Sequence, residues 1–142
     1  MKKEEIKKLF INGIDCSQVV AGYFAGVCKL DKETMRKLTS CFGGGMQCGE
    51  TCGAVTGALM VIGMVYGYAE ENDTARKNEM RSKVVEFKQE FTGKYPSCIC
   101  RELLGYNIAD PEEFQKILDL GLLLDFCPVV VEDTIKILEK ML

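Results

Sequence analysis

A stretch that joins a glycine-rich loop to an uncharged segment most constrains how this chain can fold. Residues 41–67 read CFGGGMQCGETCGAVTGALMVIGMVYG and hold three of the eight cysteines and eight of the fourteen glycines. The part from Thr51 to Ala69 carries no charge, and as a helix it would be roughly 28 Å long, just enough to cross a bilayer. Four internal glycines and the acidic neighbours Glu50 and Glu70 argue against a membrane span. We therefore expect a central buried helix and no membrane association.

The glycines of this segment are spaced for helix packing. Gly53 and Gly57 are four residues apart, as are Gly63 and Gly67, so each pair lies on one face of a helix. Such smooth faces let another helix approach closely, either within the chain or across the axis of a homodimer.

The rest of the chain has helical rather than strand periodicity. Amphipathic spacing and capping residues predict a single all-α domain over residues 1–142, a bundle of about six to seven helices around the glycine-rich one. No segment alternates as a half-buried strand would. Met35 and Leu38 are expected to point inward from one of these helices. The predicted helices include 2–12, 16–28, 32–40, 51–69 and 75–91.

Composition removes several classes of function. A net charge of −3 provides no basic surface for nucleic acid. The absence of histidine excludes His-based catalysis, mixed Cys/His zinc sites and His-ligated haem. The charged N-terminus does not resemble a signal peptide, so we expect a cytoplasmic protein. In that reducing compartment eight cysteines indicate metal or redox chemistry rather than disulfides.

Four cysteines fall at or near the predicted first turn of a helix: Cys16, Cys52, Cys100 and Cys127. The partial positive charge of a helix N-terminus favours thiolate over thiol, and Arg101 would add to this effect beside Cys100. We therefore predict a lowered thiol pKa at Cys52 or Cys100 and take these two residues as the candidate redox thiols.

Two chemistries remain open for these residues. The first is dithiol–disulfide exchange, with Cys48–Cys52 or Cys98–Cys100 as the pair. The second is a metal site, either zinc in a Cys₄ tetrahedron or an iron–sulfur cluster. The C-x₃-C and C-x-C spacings differ from the C-x₂-C pairs of zinc ribbons. The candidate ligands are Cys16, Cys52, Cys100 and Cys127, with Cys48 and Cys98 as weaker candidates.

The remaining cysteines and the glycine loop have simpler interpretations. Cys28 lies late in an amphipathic helix and is expected to be a small buried hydrophobe, whereas for Cys41 core and functional roles both stay open. Gly43, Gly44 and Gly45 allow a close backbone approach to a cofactor, and a tight connection between helices is the simpler interpretation of the same residues. The Gly-Lys-Ser/Thr ending of a phosphate-binding loop is missing, so nucleotide binding is not expected.

Several ordered motifs together resemble the C_GCAxxG_C_C family, whose members share spaced cysteines to which redox activity is ascribed. They are DCSQ at 15–18, FGGGM at 42–46, CGAVTGAL at 52–59, GMVYG at 63–67, CRELLG at 100–105 and CPVVV at 127–131. The resemblance implies a small helical protein with redox activity or a bound cofactor. It places the family cysteines on Cys16, Cys52, Cys100 and Cys127.

The same family also resembles a domain of multihaem cytochromes. This chain contains no C-x-x-C-H, so no haem is expected. The sequence thus predicts a redox-active protein, by thiol chemistry or electron transfer, with a redox partner that is unknown. The alternative is a non-catalytic protein, either zinc-binding or a structural helical homodimer whose cysteines mostly fill the core.

Overall fold

The computed structural model describes all residues from Met1 to Leu142 and is built from α-helices without a sheet. The predicted all-α fold class is therefore confirmed. Seven helices have eight or more residues: α1 (Lys3–Ile11), α2 (Cys16–Tyr23), α3 (Lys32–Thr39), α4 (Gly53–Tyr66), α5 (Thr74–Thr92), α7 (Pro111–Asp119) and α9 (Cys127–Met141). Two are shorter: α6 (Cys100–Leu104) and α8 (Leu122–Asp125).

The glycine-rich helix α4 packs against α2, α5 and α9. The residues of its N-terminal half that face these neighbours are fully buried, and a Cβ at Gly57 would lie 2.8 Å from the Ser17 carbonyl oxygen. The first glycine pair therefore does allow close helix packing. Gly63 has no neighbour within 4 Å and Met64 is 50% exposed, so the expected burial of α4 does not extend to its C-terminal end.

None of the helices combines the length and the apolar character that crossing a bilayer requires.

The core has two parts. A main cluster of 21 buried residues is contributed mostly by α2, α4, α5 and α9. A small second cluster consists of Cys100, Leu104 and Ile117. Phe126, just before α9, packs against both clusters and connects them. The candidate site lies between the two.

Two details of α2 and α3 differ from the sequence prediction. Helix α2 ends at Tyr23, and the chain then continues as turns to Lys29, which has a positive φ of 58°. Leu38 is 55% exposed, so its expected inward orientation is wrong. Thr39 is buried there instead, because its carbonyl oxygen accepts a 2.8 Å hydrogen bond from the Ser17 hydroxyl of α2.

Candidate functional site

Four cysteines from four different helix starts line one cavity. Cys16, Cys100 and Cys127 are the first residues of α2, α6 and α9, and Cys52 is the residue before α4. The predicted placement of these cysteines at helix starts is therefore confirmed. The cavity has a volume of about 90 Å³ and a mainly apolar lining. Its other lining residues include Phe10, Ile14, Leu103, Ile108, Leu123, Phe126 and Val130.

The close crossing of α2 and α4 brings the first two cysteines together. A Cβ at Gly53 would overlap the Cys16 sulfur and lie 3.2 Å from the Gly43 Cα. Only glycine leaves this space open, so the Cys16 thiol lies directly against the α4 backbone beside Cys52.

A short β-bridge brings Cys52 and Cys100 together. Thr51 and Ile99 pair antiparallel, and the flanking cysteines make the hydrogen bonds. The Cys52 N–H donates to the Cys98 carbonyl at 2.7 Å, and the Cys100 N–H donates to the Glu50 carbonyl at 2.6 Å. The sequence analysis missed this contact, since a single bridged pair leaves no alternating pattern to detect.

The glycine loop covers one side of the site in an unusual conformation. Four consecutive residues, Gly44–Gln47, have φ values near 60°, and a wide turn is closed by the Glu50 N–H donating to the Gly45 carbonyl at 2.9 Å. Of the three glycines considered for cofactor contact, Gly44 lines the cavity. Gly43 packs against Asp15, and Gly45 against the Cys100 side chain.

Burial dominates the acidity of the four thiols. It raises the pKa of Cys16 to about 12 and the pKa values of Cys52 and Cys100 to about 11 each, and it raises the pKa of Cys127 well above its ordinary value. Charge repulsion among these thiolates adds to the effect. The predicted lowering of the pKa at Cys52 or Cys100 is therefore wrong for the chain without a bound cation.

The groups expected to lower these pKa values contribute less than burial. Backbone amides of Ala54 and Val55 donate toward the Cys52 sulfur, and those of Gly44 and Ser17 toward Cys16. Arg101 does not offset the desolvation of Cys100, because its guanidinium pairs with the Glu50 carboxylate at 2.7 Å. The four thiols therefore have raised pKa values, and no positively charged side chain is among the residues that line the cavity.

The other four cysteines lie outside the cavity lining. Cys28 is buried in the main core, which confirms its predicted role as a small hydrophobe. Cys41 and Cys48 are exposed. Cys98 is partly buried and close enough to Cys52 for its charge to affect the pKa of that thiol, while Cys48 acts in the same way on Cys100. The neighbouring thiols are thus Cys52 with Cys98 and Cys48 with Cys100. The spacing in the sequence had instead suggested the exchange pairs Cys48–Cys52 and Cys98–Cys100.

No three cysteine, aspartate or glutamate side chains converge on one point where a single metal ion could be held. Tetrahedral zinc with bonds of about 2.3 Å needs sulfur atoms about 3.8 Å apart. The four thiols instead surround a cavity.

An aromatic row that sequence reasoning did not identify supports the cavity wall. Phe126 lines the cavity and meets Tyr95 edge-to-face, with ring centroids 6.2 Å apart. Tyr95 also packs on Phe91 and donates its hydroxyl proton to Asp133 at 2.5 Å. Burial, and then this hydrogen bond, raise the pKa of Tyr95. Aromatic residues at helical spacing gave no signal that separated this role from ordinary core packing.

Comparison with known proteins gives one family match. No curated protein and no solved structure matches the chain. A family model matches residues 14–141, a range that includes all four cavity cysteines. The chain therefore belongs to the C_GCAxxG_C_C family, described as "Putative redox-active protein".

Proposed function

We propose that this protein is an electron-transfer protein that holds an iron–sulfur cluster through Cys16, Cys52, Cys100 and Cys127. The observation that carries the proposal is the meeting of these four thiols around one apolar cavity. Four cysteine thiolates are the usual ligand set of such clusters.

The residues at the cavity fit such a group in size and in donor chemistry. A volume of about 90 Å³ is several times the roughly 10–15 Å³ that one buried water needs. The lining offers four sulfur donors and, apart from Asp15, no charged side chain. The missing side chain of Gly53 makes room for the Cys16 sulfur itself. Soft thiolate donors select iron–sulfur clusters, copper(I) or zinc.

The chain's own groups would tune the site electrostatically. The amides of Gly44 and Ser17 at Cys16, and those of Ala54 and Val55 at Cys52, stabilise negative charge on sulfur. Hydrogen bonds to ligand sulfurs and exclusion of water are the means by which proteins set the potential of such sites. A cluster held there would supply reversible one-electron transfer.

Two other functions fit the arrangement less well. A mononuclear zinc site needs four converging sulfurs, and the thiols surround a cavity instead. A purely structural role for the cysteines suits Cys28, which is packed in the main core. It does not explain why the cysteines of four helix starts share one cavity.

The test is anaerobic purification followed by iron, sulfide and zinc analysis and a visible spectrum. We expect iron and acid-labile sulfide in equal amounts and a broad visible absorbance that dithionite bleaches. Replacing any one of the four cavity cysteines by serine should remove most of the absorbance.

Cys41→Ser is the matched control, because Cys41 is exposed and lies outside the cavity, and it should keep full iron content. Zinc at one equivalent per chain in the wild-type protein, or equal iron loss in Cys41→Ser and Cys127→Ser, would contradict the proposal.

A further inference from the structure

We propose that Cys52 and Cys98 form a second redox site, in which the iron-free chain reduces a low-molecular-weight disulfide by joining these two cysteines. The activity goes beyond the proposed electron transfer, because it uses a cysteine outside the cavity lining and needs no cluster.

The β-bridge sets the geometry of this pair. Thr51 and Ile99 are the bridged residues, and the hydrogen bond from the Cys52 N–H to the Cys98 carbonyl is 2.7 Å long. This register places Cys52 directly opposite Cys98. Residues opposite each other at such a hydrogen-bonded position have Cα atoms about 5.5 Å apart. Disulfides most often join Cα atoms about 5.5–6 Å apart, so the backbone needs little movement to close the bond.

The two residues are also electrostatic neighbours and differ in their position relative to the cavity. A charge on Cys98 acts on the Cys52 thiol. Both residues are partly buried at the border of the main core, but only Cys52 lines the cavity. This arrangement fits an outer thiol that meets the substrate and an inner thiol that completes the exchange.

The exchange consumes one disulfide and releases two thiols. The Cys98 thiolate attacks one sulfur of the small disulfide, which forms a mixed disulfide and releases the first thiolate. The Cys52 thiolate then attacks the Cys98 sulfur, which forms the Cys52–Cys98 bond and releases the second thiolate. The two cysteines lose two electrons and two protons, and the substrate gains both as two thiols.

The probe is glutathione disulfide, added to the full chain after a chelator has removed iron under anaerobic conditions. The exposed cysteines Cys41 and Cys48 are replaced by serine so that they form no adducts. We expect two equivalents of glutathione per chain, a mass loss of 2 Da and no retained adduct. Trypsin should leave peptides 38–76 and 95–101 joined, with fragmentation placing the link at Cys52 and Cys98.

Two further variants in the same background make the result specific. Cys98→Ser should form no link between the peptides and release at most one equivalent of glutathione. Cys28→Ser removes a cysteine of the main core and should leave the link intact. A dominant link between any other pair, no link at all, or an equal yield in 6 M guanidinium would overturn the proposal.

Iron analysis separates this proposal from that of the cluster. Cys98→Ser should retain the iron content and visible spectrum of the wild-type protein, since Cys98 does not line the cavity. Iron loss in this variant would place Cys98 in the iron site and overturn the assignment. If the wild-type chain never binds iron, the proposed cluster is refuted. The glutathione disulfide measurement then still tests the Cys52–Cys98 proposal by itself.

Discussion

At the scale of single residues, the candidate site depends on one glycine. Gly53 begins α4, and the space that its missing side chain leaves is occupied by the Cys16 sulfur. Gly57, further along α4, makes a second close contact with α2, because it lies against the Ser17 carbonyl. The cysteines of α2 and α4 share the cavity because these two helix starts can approach so closely.

Gly53→Ala should therefore disrupt the site. The added methyl group would push both the Cys16 side chain and the Gly43 backbone away from α4. We therefore expect the free energy of unfolding to fall by about 1–3 kcal/mol, as at other overpacked positions. Urea denaturation measures this change. Gly63→Ala is the matched control, since Gly63 has no neighbour within 4 Å and alanine should stabilise the helix by up to ~1 kcal/mol. Equal effects of the two variants would contradict this interpretation.

Tyr95 provides a prediction for pH dependence. Tyr95→Phe removes the hydrogen bond to Asp133, and we expect a loss of about 1 kcal/mol in unfolding free energy at pH 7. The pKa of Tyr95 is raised in the folded chain, mainly by burial. The stabilisation is therefore fully present below the unfolded pKa of about 10 and is lost as pH rises toward the folded pKa.

The stability difference between wild type and Tyr95→Phe should thus shrink when urea denaturation is repeated near pH 10.5 under reducing conditions. Because the thiols titrate in both proteins, their contribution cancels in this comparison. Tyr68→Phe, at an exposed position, should match wild type at both pH values. A difference for Tyr95→Phe that grows with pH would show that the assigned sign is wrong.

At the scale of elements, the loop before α4 is the most strained part of the chain. Met46 and Gln47 have φ values of 59° and 61°, a left-handed conformation that only glycine adopts without strain. Gly44 and Gly45 begin the same left-handed run, and the loop sets Gly44 against the cavity. Strain beside a candidate site is a recurring property of functional loops.

Met46→Gly should relieve part of this strain. The left-handed penalty of about 1–2 kcal/mol disappears, while the greater freedom of glycine in the unfolded chain offsets about 0.5–1 kcal/mol. We expect a small net gain in unfolding free energy, measured by urea denaturation. The matched control is Met64→Gly, since Met64 has similar exposure in right-handed α4 and should lose up to ~1 kcal/mol. Destabilisation by both variants would contradict the strain argument.

At the scale of the whole molecule, the two core clusters differ in size and meet at the cavity. The smaller cluster contains one cavity cysteine, Cys100, together with Leu104 and Ile117. Cys16 and Cys52 pack against the main cluster, and Cys127 packs against the smaller one. A small cluster should open locally more often than a large one.

Ile117→Ala should destabilise the small cluster selectively. Ile117 is fully buried, so we expect a loss of about 2–4 kcal/mol in local stability. Amide hydrogen exchange should accelerate in α6 and α7 more than in α2 and α4. Ile135→Ala, a fully buried residue of the main cluster, should instead accelerate exchange in α2 and α4 as well. Uniform acceleration by Ile117→Ala would show that the clusters unfold as one unit.

Local features of the fold could be predicted from the sequence. Asp31 caps α3 and accepts a hydrogen bond from the Thr34 N–H at 2.8 Å, and Asp110 caps α7, whose first residue is Pro111. Capping involves residues only two or three positions apart, so the sequence contains the whole signal. The same local reasoning placed the four cavity cysteines at helix starts.

The sequence by itself therefore determined the all-α class, the helix starts and the position of each candidate thiol along the chain. The tertiary structure decided which thiols meet, because the Thr51–Ile99 bridge and the contact of Gly53 with Cys16 join residues far apart in sequence. It also reversed the predicted direction of the thiol pKa shifts. A helix N-terminus is a local feature, whereas desolvation depends on every element that encloses the cavity, and here desolvation is the larger effect.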